Sequence, residues 1–189
     1  SSRICIRPDM HILELGCGTG KVWRGREYIL PKGVSILLTD LSPLMIEMTR
    51  KELGEHPAFS FGLADIQHSP FEGETFDLVI ANHMLYHVPD LDRGIAEVHR
   101  VLKPGGTFCA STIGEHSMRE LQDIYQLFSN RAQFVFSGEL SFTLDNGAEK
   151  LAGYFQDISK EEYNDALVVT SIDDLMAYIL SYNTVPNET

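Results

Sequence analysis

Five short, near-continuously apolar runs, separated by stretches of helical periodicity, constrain this chain more than any other feature. They are "HILEL" (11–15), "SILLTD" (35–40), "FSFGLAD" (59–65), "FDLVIAN" (76–82) and "GTFCAST" (106–112). A strand apolar along its whole length is buried on both faces, as parallel strands are. Between the runs, "SPLMIEMTRKEL" (42–53) offers Ser42 as a cap and Pro43 at the first helical position. "DLDRGIAEVHRVLK" (90–103) sets Leu91, Ile95, Val98 and Leu102 on one helical face, and "KPGG" (103–106) then stops that helix. This alternation predicts a doubly wound α/β fold, a mostly parallel sheet with right-handed crossovers. Ligands of such sheets bind at the carboxyl ends of the strands. Gly16–Gly20, Asp40, Asp65 and the stretch from Asn82 to His87 all fall there.

Beyond residue 112 the rhythm breaks. Residues 117–131 read as an amphipathic helix with Leu121, Ile124, Tyr125 and Phe128 on one side, and an aromatic segment without clear period follows at 133–142. A second helix is expected from Asn146, with Glu149 as its capping-box partner, burying Leu151, Ala152 and Phe155. A sixth strand is expected within 157–169, and a last helix, capped by Thr170 or Ser171, carries Leu175, Ile179 and Tyr182. The length of 189 residues suits one domain, with 113–142 as an insertion in it. No apolar run reaches the roughly 18 residues of a membrane span, so no membrane partner is expected. The opening "SSRICIRPDM" lacks the apolar core of a signal peptide, and the absence of an initiator Met marks a piece of a longer or processed protein.

A net charge of −12 repels phosphate backbones, which makes nucleic acid a poor partner. Cys5, Cys17 and Cys109 are widely separated and form no metal-binding spacing, so no metal is expected. Reduced thiols in a cytoplasmic setting follow.

The stretch "ILELGCGTG" (12–20) runs from an apolar strand into Gly16, Gly18 and Gly20, with an acid, Glu14, inside the strand. Such glycines let backbone approach a nucleotide-like ligand, and the next helix offers free N–H groups. The spacing is GxGxG, with Lys21 where the dinucleotide fingerprint has its third glycine. Asp40 closes the second strand about 20 residues on, where an acid binds ribose hydroxyls. Its alternative role is to cap the following helix, a task Ser42 can perform and so leave Asp40 free. Asp65 closes the third strand and either accepts from an exocyclic amine or serves as a turn acid. Leu41 and Ile66 can supply apolar walls for a flat base, and the Ile66 N–H can face a ring nitrogen.

"LELGCGTG", "LTDLSPLMI", "LADIQHSPF", "FDLVIANHMLYHVPD" and "VLKPGGTF" stand in this order over residues 10–112. In this they resemble the class I S-adenosylmethionine-dependent methyltransferases, most of all the small-molecule branch that includes the ubiquinone/menaquinone C-methyltransferase type. The resemblance implies a Rossmann-like sheet of seven strands, the last antiparallel, with S-adenosyl-L-methionine as cofactor. It implies that Glu14 and Gly16, Cys17, Gly18 and Gly20 hold the methionine moiety. Asp40 would bind the ribose, Leu41 flank the adenine, Asp65 with Ile66 read its edge, and Asn82 and His83 lie below the sulfonium. Two departures stand out: ten residues precede the first strand where such enzymes carry covering helices, and the final antiparallel strand is missing. The expectation is that absent parts close the site, or that this piece binds cofactor poorly.

Methyl transfer from a sulfonium is an in-line displacement that needs positioning and exclusion of water, and a base only where the acceptor must lose a proton. His83, Tyr86 and His87 follow the fourth strand and His116 follows the fifth. Each histidine can be structural or can contact substrate; His83 and His116 are the catalytic candidates. After the fourth strand the chain has "NHML" rather than the Asn/Asp-Pro-Pro-aromatic tetrapeptide of amino-directed nucleic-acid methyltransferases. A small-molecule acceptor is therefore expected. The aromatics Tyr125, Phe128, Phe134, Phe136 and Phe142 either line its pocket or belong to the core. The competing readings are an NAD-type oxidoreductase, which fits the glycines and Asp40 only, and a non-catalytic binding module. Trp23 has no assigned role.

Overall fold

A computed structural model describes residues 4–114, 117–121, 123, 140–163 and 168–183, the last five by backbone alone. The described strands are β1 (His11–Leu15), β2 (Ser35–Asp40), β3 (Phe59–Leu63), β4 (Phe76–Asn82) and β5 (Leu102–Ser111), and the helices α1 (Pro43–Leu53), α2 (Leu91–Val101), α3 (Gly147–Leu151) and α4 (Ile172–Asn183). The strands form one sheet in the order β3-β2-β1-β4-β5, parallel at every pairing. This is the doubly wound α/β fold that the apolar runs predict. The chain leaves β1 toward β3, then returns to place β4 on the other side of β1. That reversal opens a crevice at the carboxyl ends of β1 and β4.

Alternation along the strands sorts the core into two layers. Leu13 and Leu15 of β1 and Val79 and Ala81 of β4 pack with Ile95, Val98 and Val101 of α2. Ile12, Ile36, Leu38, Leu78 and Ile80 face the other way, toward Trp23, with Ile46 and Leu53 of α1 against them. Glu14 shares the parity of Ile12, so the strand itself turns the carboxylate to the Trp23 side. The Ser42 hydroxyl caps α1 by accepting from Met45 N at 3.4 Å, and Pro43 takes the first turn. Leu91, Ile95, Val98 and Leu102 are all buried, as their spacing predicts.

Several local expectations are overturned. No α-helix follows β1 at once: residues 21–26 form turns and only Glu27–Ile29 make a 3-10 turn. Hydrogen bonds there step by three, from Trp23 N to Gly20 O and from Arg26 N to Trp23 O, and Gly25 sits at φ 72°, where an α-helix cannot continue. α2 ends at Val101, before "KPGG", because Leu102 already pairs with Phe76 and Pro104 disfavours helix at Lys103. The strand thus starts before Gly106, and "KPGG" bulges out where the register jumps from Phe76–Leu102 to Leu78–Thr107.

The Asn146–Glu149 capping box does not form. Asn146 Oδ1 instead accepts from Thr143 N at 2.8 Å, ahead of the helix. Leu151 and Phe155 pack against the α2-side core, but Ala152 is exposed. Residues 157–163 and 168–169 carry no strand; all are exposed, and Asp157, Lys160, Glu161 and Glu162 interrupt the apolar face a strand buries. Residues 164–167 lie outside the described residues.

The chain divides into two units. The sheet unit takes 2–117 and 140–160. In it Thr112 Oγ1 donates to Phe142 O at 2.9 Å, and Phe142 is a buried core residue. The other unit takes residue 1, 118–139 and 161–189. Its α4 is capped at Ser171, whose Oγ accepts from Asp174 N at 3.2 Å, and Tyr178 Oη donates to Met118 Sδ at 3.4 Å. Of the helix expected at 117–131, residues 122 and 124–131 lie outside the described residues. No helix among the described residues is long and apolar enough to cross a membrane.

Candidate functional site

β1 delivers Glu14 into the interior, 1% exposed, and both its oxygens are engaged. The Trp23 indole N–H donates to one and Asn82 Nδ2 to the other, at 3.0 Å for Asn82. Burial pushes the Glu14 carboxyl above its usual range, and the two donors oppose that rise. Among the described residues, no cation is one of the groups acting on it. Asn82 is itself held by Ser111, whose Oγ donates to Asn82 Oδ1 at 3.1 Å. One hydrogen-bonded row thus crosses from β5 through β4 and β1 to Trp23.

The glycine loop leaves β1 with Gly16, Gly18 and Gly20 at φ 68°, 55° and 73°. Cys17 N donates to Thr39 O at 2.8 Å, while Thr39 Oγ1 donates to Glu14 O at 2.7 Å. The Cys17 thiol is buried and pushed up to about 11, chiefly by that burial, which makes it inert as a nucleophile at neutral pH. At Gly18 a Cβ would meet nothing within 4 Å, so the space beside this residue is open. At Gly16 a Cβ would come within 2.9 Å of the Met84 side chain, where the loops after β1 and β4 meet.

Asp40 ends β2 and is not left free by Ser42. Its Oδ2 accepts from Gly18 N at 3.0 Å and its Oδ1 from Ser42 N at 2.9 Å. An ionised carboxylate has about four acceptor positions, so each oxygen keeps one. Leu41 beside it is 72% exposed. Asp65 follows β3 and accepts from Gln67 N at 2.8 Å, a bond that holds its carboxyl below the usual range. Gln67 also links this turn to the start of α2, because its Oε1 accepts from Asp90 N at 3.0 Å. The Ile66 side chain is buried in the core with Val88 and Leu91, so it supplies no apolar wall beside Leu41 and leaves only its backbone for a ligand.

His83 follows β4 with an exposed ring and φ 50°, a left-handed backbone that costs a non-glycine residue about 1–2 kcal/mol. Its N–H donates to Ser111 O at 3.0 Å. The Tyr86 and His87 rings lie 4.5 Å apart, centroid to centroid. The fold therefore brings Glu14, Gly16–Gly20, Asp40, Asn82 and His83 to the carboxyl ends of adjacent strands, with Leu41 and Asp65 on the β2–β3 side. His116, Tyr125, Phe128, Phe134 and Phe136 lie outside the described residues.

Sequence reasoning missed Trp23, Thr49 and Ser111. Trp23 carried a signal, since a buried indole N–H needs an acceptor and Glu14 is the nearby buried one. Thr49 carried another, as the polar residue between Ile46 and Leu53 on the inward stripe of α1.

Three comparisons agree with this geometry. The family model described as "Methyltransferase domain" matches residues 13–110. The malonyl-[acyl-carrier protein] O-methyltransferase of Salmonella typhimurium is 33% identical over 64% of this chain and 46% of its own length. The ubiquinone/menaquinone biosynthesis C-methyltransferase of Haemophilus ducreyi is 28% identical over 66% and 49%. The chain thus spans about half the length of these curated relatives. Among solved structures, an S-adenosylmethionine dependent methyltransferase from Mesorhizobium loti is 29% identical, with a TM-score of 0.53 over 61% of this chain and 52% of that one. The glycine loop, Asp40 and the ends of β3 and β4 all fall within the matched residues, and the chain belongs to the methyltransferase domain family of class I, S-adenosylmethionine-dependent type.

Proposed function

We propose that this protein transfers a methyl group from S-adenosyl-L-methionine to a small-molecule acceptor by in-line displacement. The observation that carries the reading is the pairing of open space at Gly18 with the two unused acceptor positions of Asp40, one on each oxygen. A vicinal ribose diol offers two donors to such a carboxylate, while the open side of Gly18 admits the amino-acid tail.

When bound, S-adenosylmethionine supplies a methyl already activated by the positive sulfur. The chain's part is to bind and orient. Asp40 holds the ribose, exposed Leu41 covers one face of the adenine, and Asp65 with the Ile66 backbone reads its edge. Glu14, buried without a cation, favours a zwitterionic tail over a pyrophosphate by its charge. Cys17 contributes its backbone, since its thiol is buried. Asn82 is locked by Glu14 and Ser111, and His83, exposed beyond it, is assigned to the acceptor side; His116, the second catalytic candidate, lies outside the described residues. The family resemblance supports reading residues 113–142 as a substrate-covering insertion in the domain; 115–116, 122 and 124–139 of that segment lie outside the described residues.

The acceptor is not nucleic acid, as the charge of −12 and "NHML" after β4 support. The site is cytoplasmic, in keeping with three free cysteines.

Isothermal titration with S-adenosylmethionine, its demethylated product and NAD tests the cofactor. Binding of both sulfur ligands with no comparable NAD affinity is the expected result; tighter binding of NAD would sink the proposal. Methylated product from an acceptor screen then separates an enzyme from a binding module.

A further inference from the structure

Thr49 is the buried residue of α1, with no measurable exposure, and it is polar, whereas Leu44 and Met48 on the same helix are 60% and 43% exposed. A buried hydroxyl needs a partner. Thr49 Oγ1 donates to Gly18 O at 2.6 Å, a short and well-formed bond. With its proton committed there, its oxygen remains an acceptor for the Cys17 thiol, 3.7 Å away. The methyl of the same side chain lies against Gly20, where a Cβ would come within 2.7 Å of it.

Both main-chain polar groups of Gly18 are therefore gripped from behind. Asp40 takes the N–H at 3.0 Å and Thr49 takes the carbonyl. The side of Gly18 on which a Cβ would stand is open among the described residues. At φ 55° Gly18 occupies the left-handed well, one of several that glycine populates with similar ease, so its contacts select the well and with it the direction of the peptide that follows.

We infer that Thr49 is a positioning residue for the cofactor loop: its hydroxyl fixes the Gly18 carbonyl and thereby sets cofactor affinity, while its methyl only packs. The inference rests on the methyltransferase reading of this loop. The two halves of the side chain can be removed separately. Thr49→Val keeps the methyl and the shape but loses the hydroxyl. Thr49→Ser keeps the hydroxyl and loses the methyl.

The test measures, for wild type and both variants of the full chain, the Kd for S-adenosylmethionine and its demethylated product, and the Tm without ligand. Thr49→Val is expected to weaken both ligands by roughly five- to tenfold, the scale of one lost hydrogen bond. Thr49→Ser is expected to restore affinity to about twofold of wild type, while having the lower Tm of the two variants. An unchanged Kd in Thr49→Val, or a Kd that follows Tm so that the Ser variant binds worse, overturns the inference while leaving the methyltransferase reading in place. Absence of binding by the wild type overturns both.

Discussion

The loop after β1 and the loop after β4 flank the same crevice but are secured differently. Residues 17 and 18 are bonded to Thr39 and Asp40 of β2 and to Thr49 of α1, all outside the loop. Residues 83–90 close mainly on themselves, from His87 N to Met84 O and from Val88 N to Leu85 O. They reach neighbours at the two ends, from His83 N to Ser111 O and from Asp90 N to Gln67 Oε1. A loop pinned by side chains of other elements arrives preorganised, which lowers the cost of binding one fixed ligand. A loop closed by its own turns lets its exposed residues, His83 and His87 among them, vary while Leu85 and Val88 stay in the core. The division suits a fixed cofactor on one side and a variable acceptor on the other.

That contrast can be broken in four places. The largest effect is expected at Asp40, where replacement by Ala removes a carboxylate that binds Gly18 and Ser42 and is proposed to bind the ribose. Asp40→Ala should weaken S-adenosylmethionine by about 1.5–3 kcal/mol; an unchanged Kd by titration would show the ribose to lie elsewhere.

Trp23→Phe comes next. It leaves one oxygen of buried Glu14 without its donor and should cost about 1–3 kcal/mol of stability in denaturant unfolding. It should also sharpen a pH effect. Glu14 has a folded pKa above its ordinary 4.5, so its contribution is most favourable below that value and is lost as pH rises through the raised one. The variant should lose more stability over that interval than wild type, and Glu14→Gln should remove the dependence. Equal pH slopes in all three proteins would show that Trp23 does not hold the charge.

Gly18→Ala is the third. Its Cβ meets no protein atom, so unfolding should report only the left-handed penalty of about 1–2 kcal/mol. Cofactor affinity should fall as well, because the side chain occupies the open space. Retained affinity would mean that the ligand does not approach Gly18. The smallest effect belongs to the other loop: His83→Gly should raise stability by up to about 1 kcal/mol by relieving its φ of 50°. A fall in Tm would show that the His83 ring makes a contact worth more than the strain.

Much of this architecture was legible because it rests on local patterns. Near-continuous apolar runs marked five strands, of which β1, β2 and β4 are mostly buried while the outer β3 and β5 each bury one residue fully; Ser42-Pro43 marked the start of α1, and Gly16–Gly20 with Asp40 marked the crevice. The misses have a common physical source. Turns from Gly20 to Ile29 replace a helix because i to i+3 bonds and Gly25 interrupt it, and propensity alone does not weigh that competition. Charge at Asp157, Lys160, Glu161 and Glu162 left the described part of the expected strand at 157–163 without an apolar face. The bonds of Trp23 with Glu14, of Thr49 with Gly18 and of Ser111 with Asn82 join residues far apart in sequence. They exist only once strand register is set, so each residue type could be noticed but its partner could not be named.

Trp23, the chain's sole tryptophan, is 4% exposed and bonded to the carboxylate beneath the glycine loop. All indole emission therefore originates at one point of the molecule, and that point adjoins the proposed cofactor tail. A ligand that alters the charge or the packing around Glu14 changes the field at a single chromophore. The protein thus carries its own optical gauge of occupancy, readable in a fluorimeter without label or acceptor.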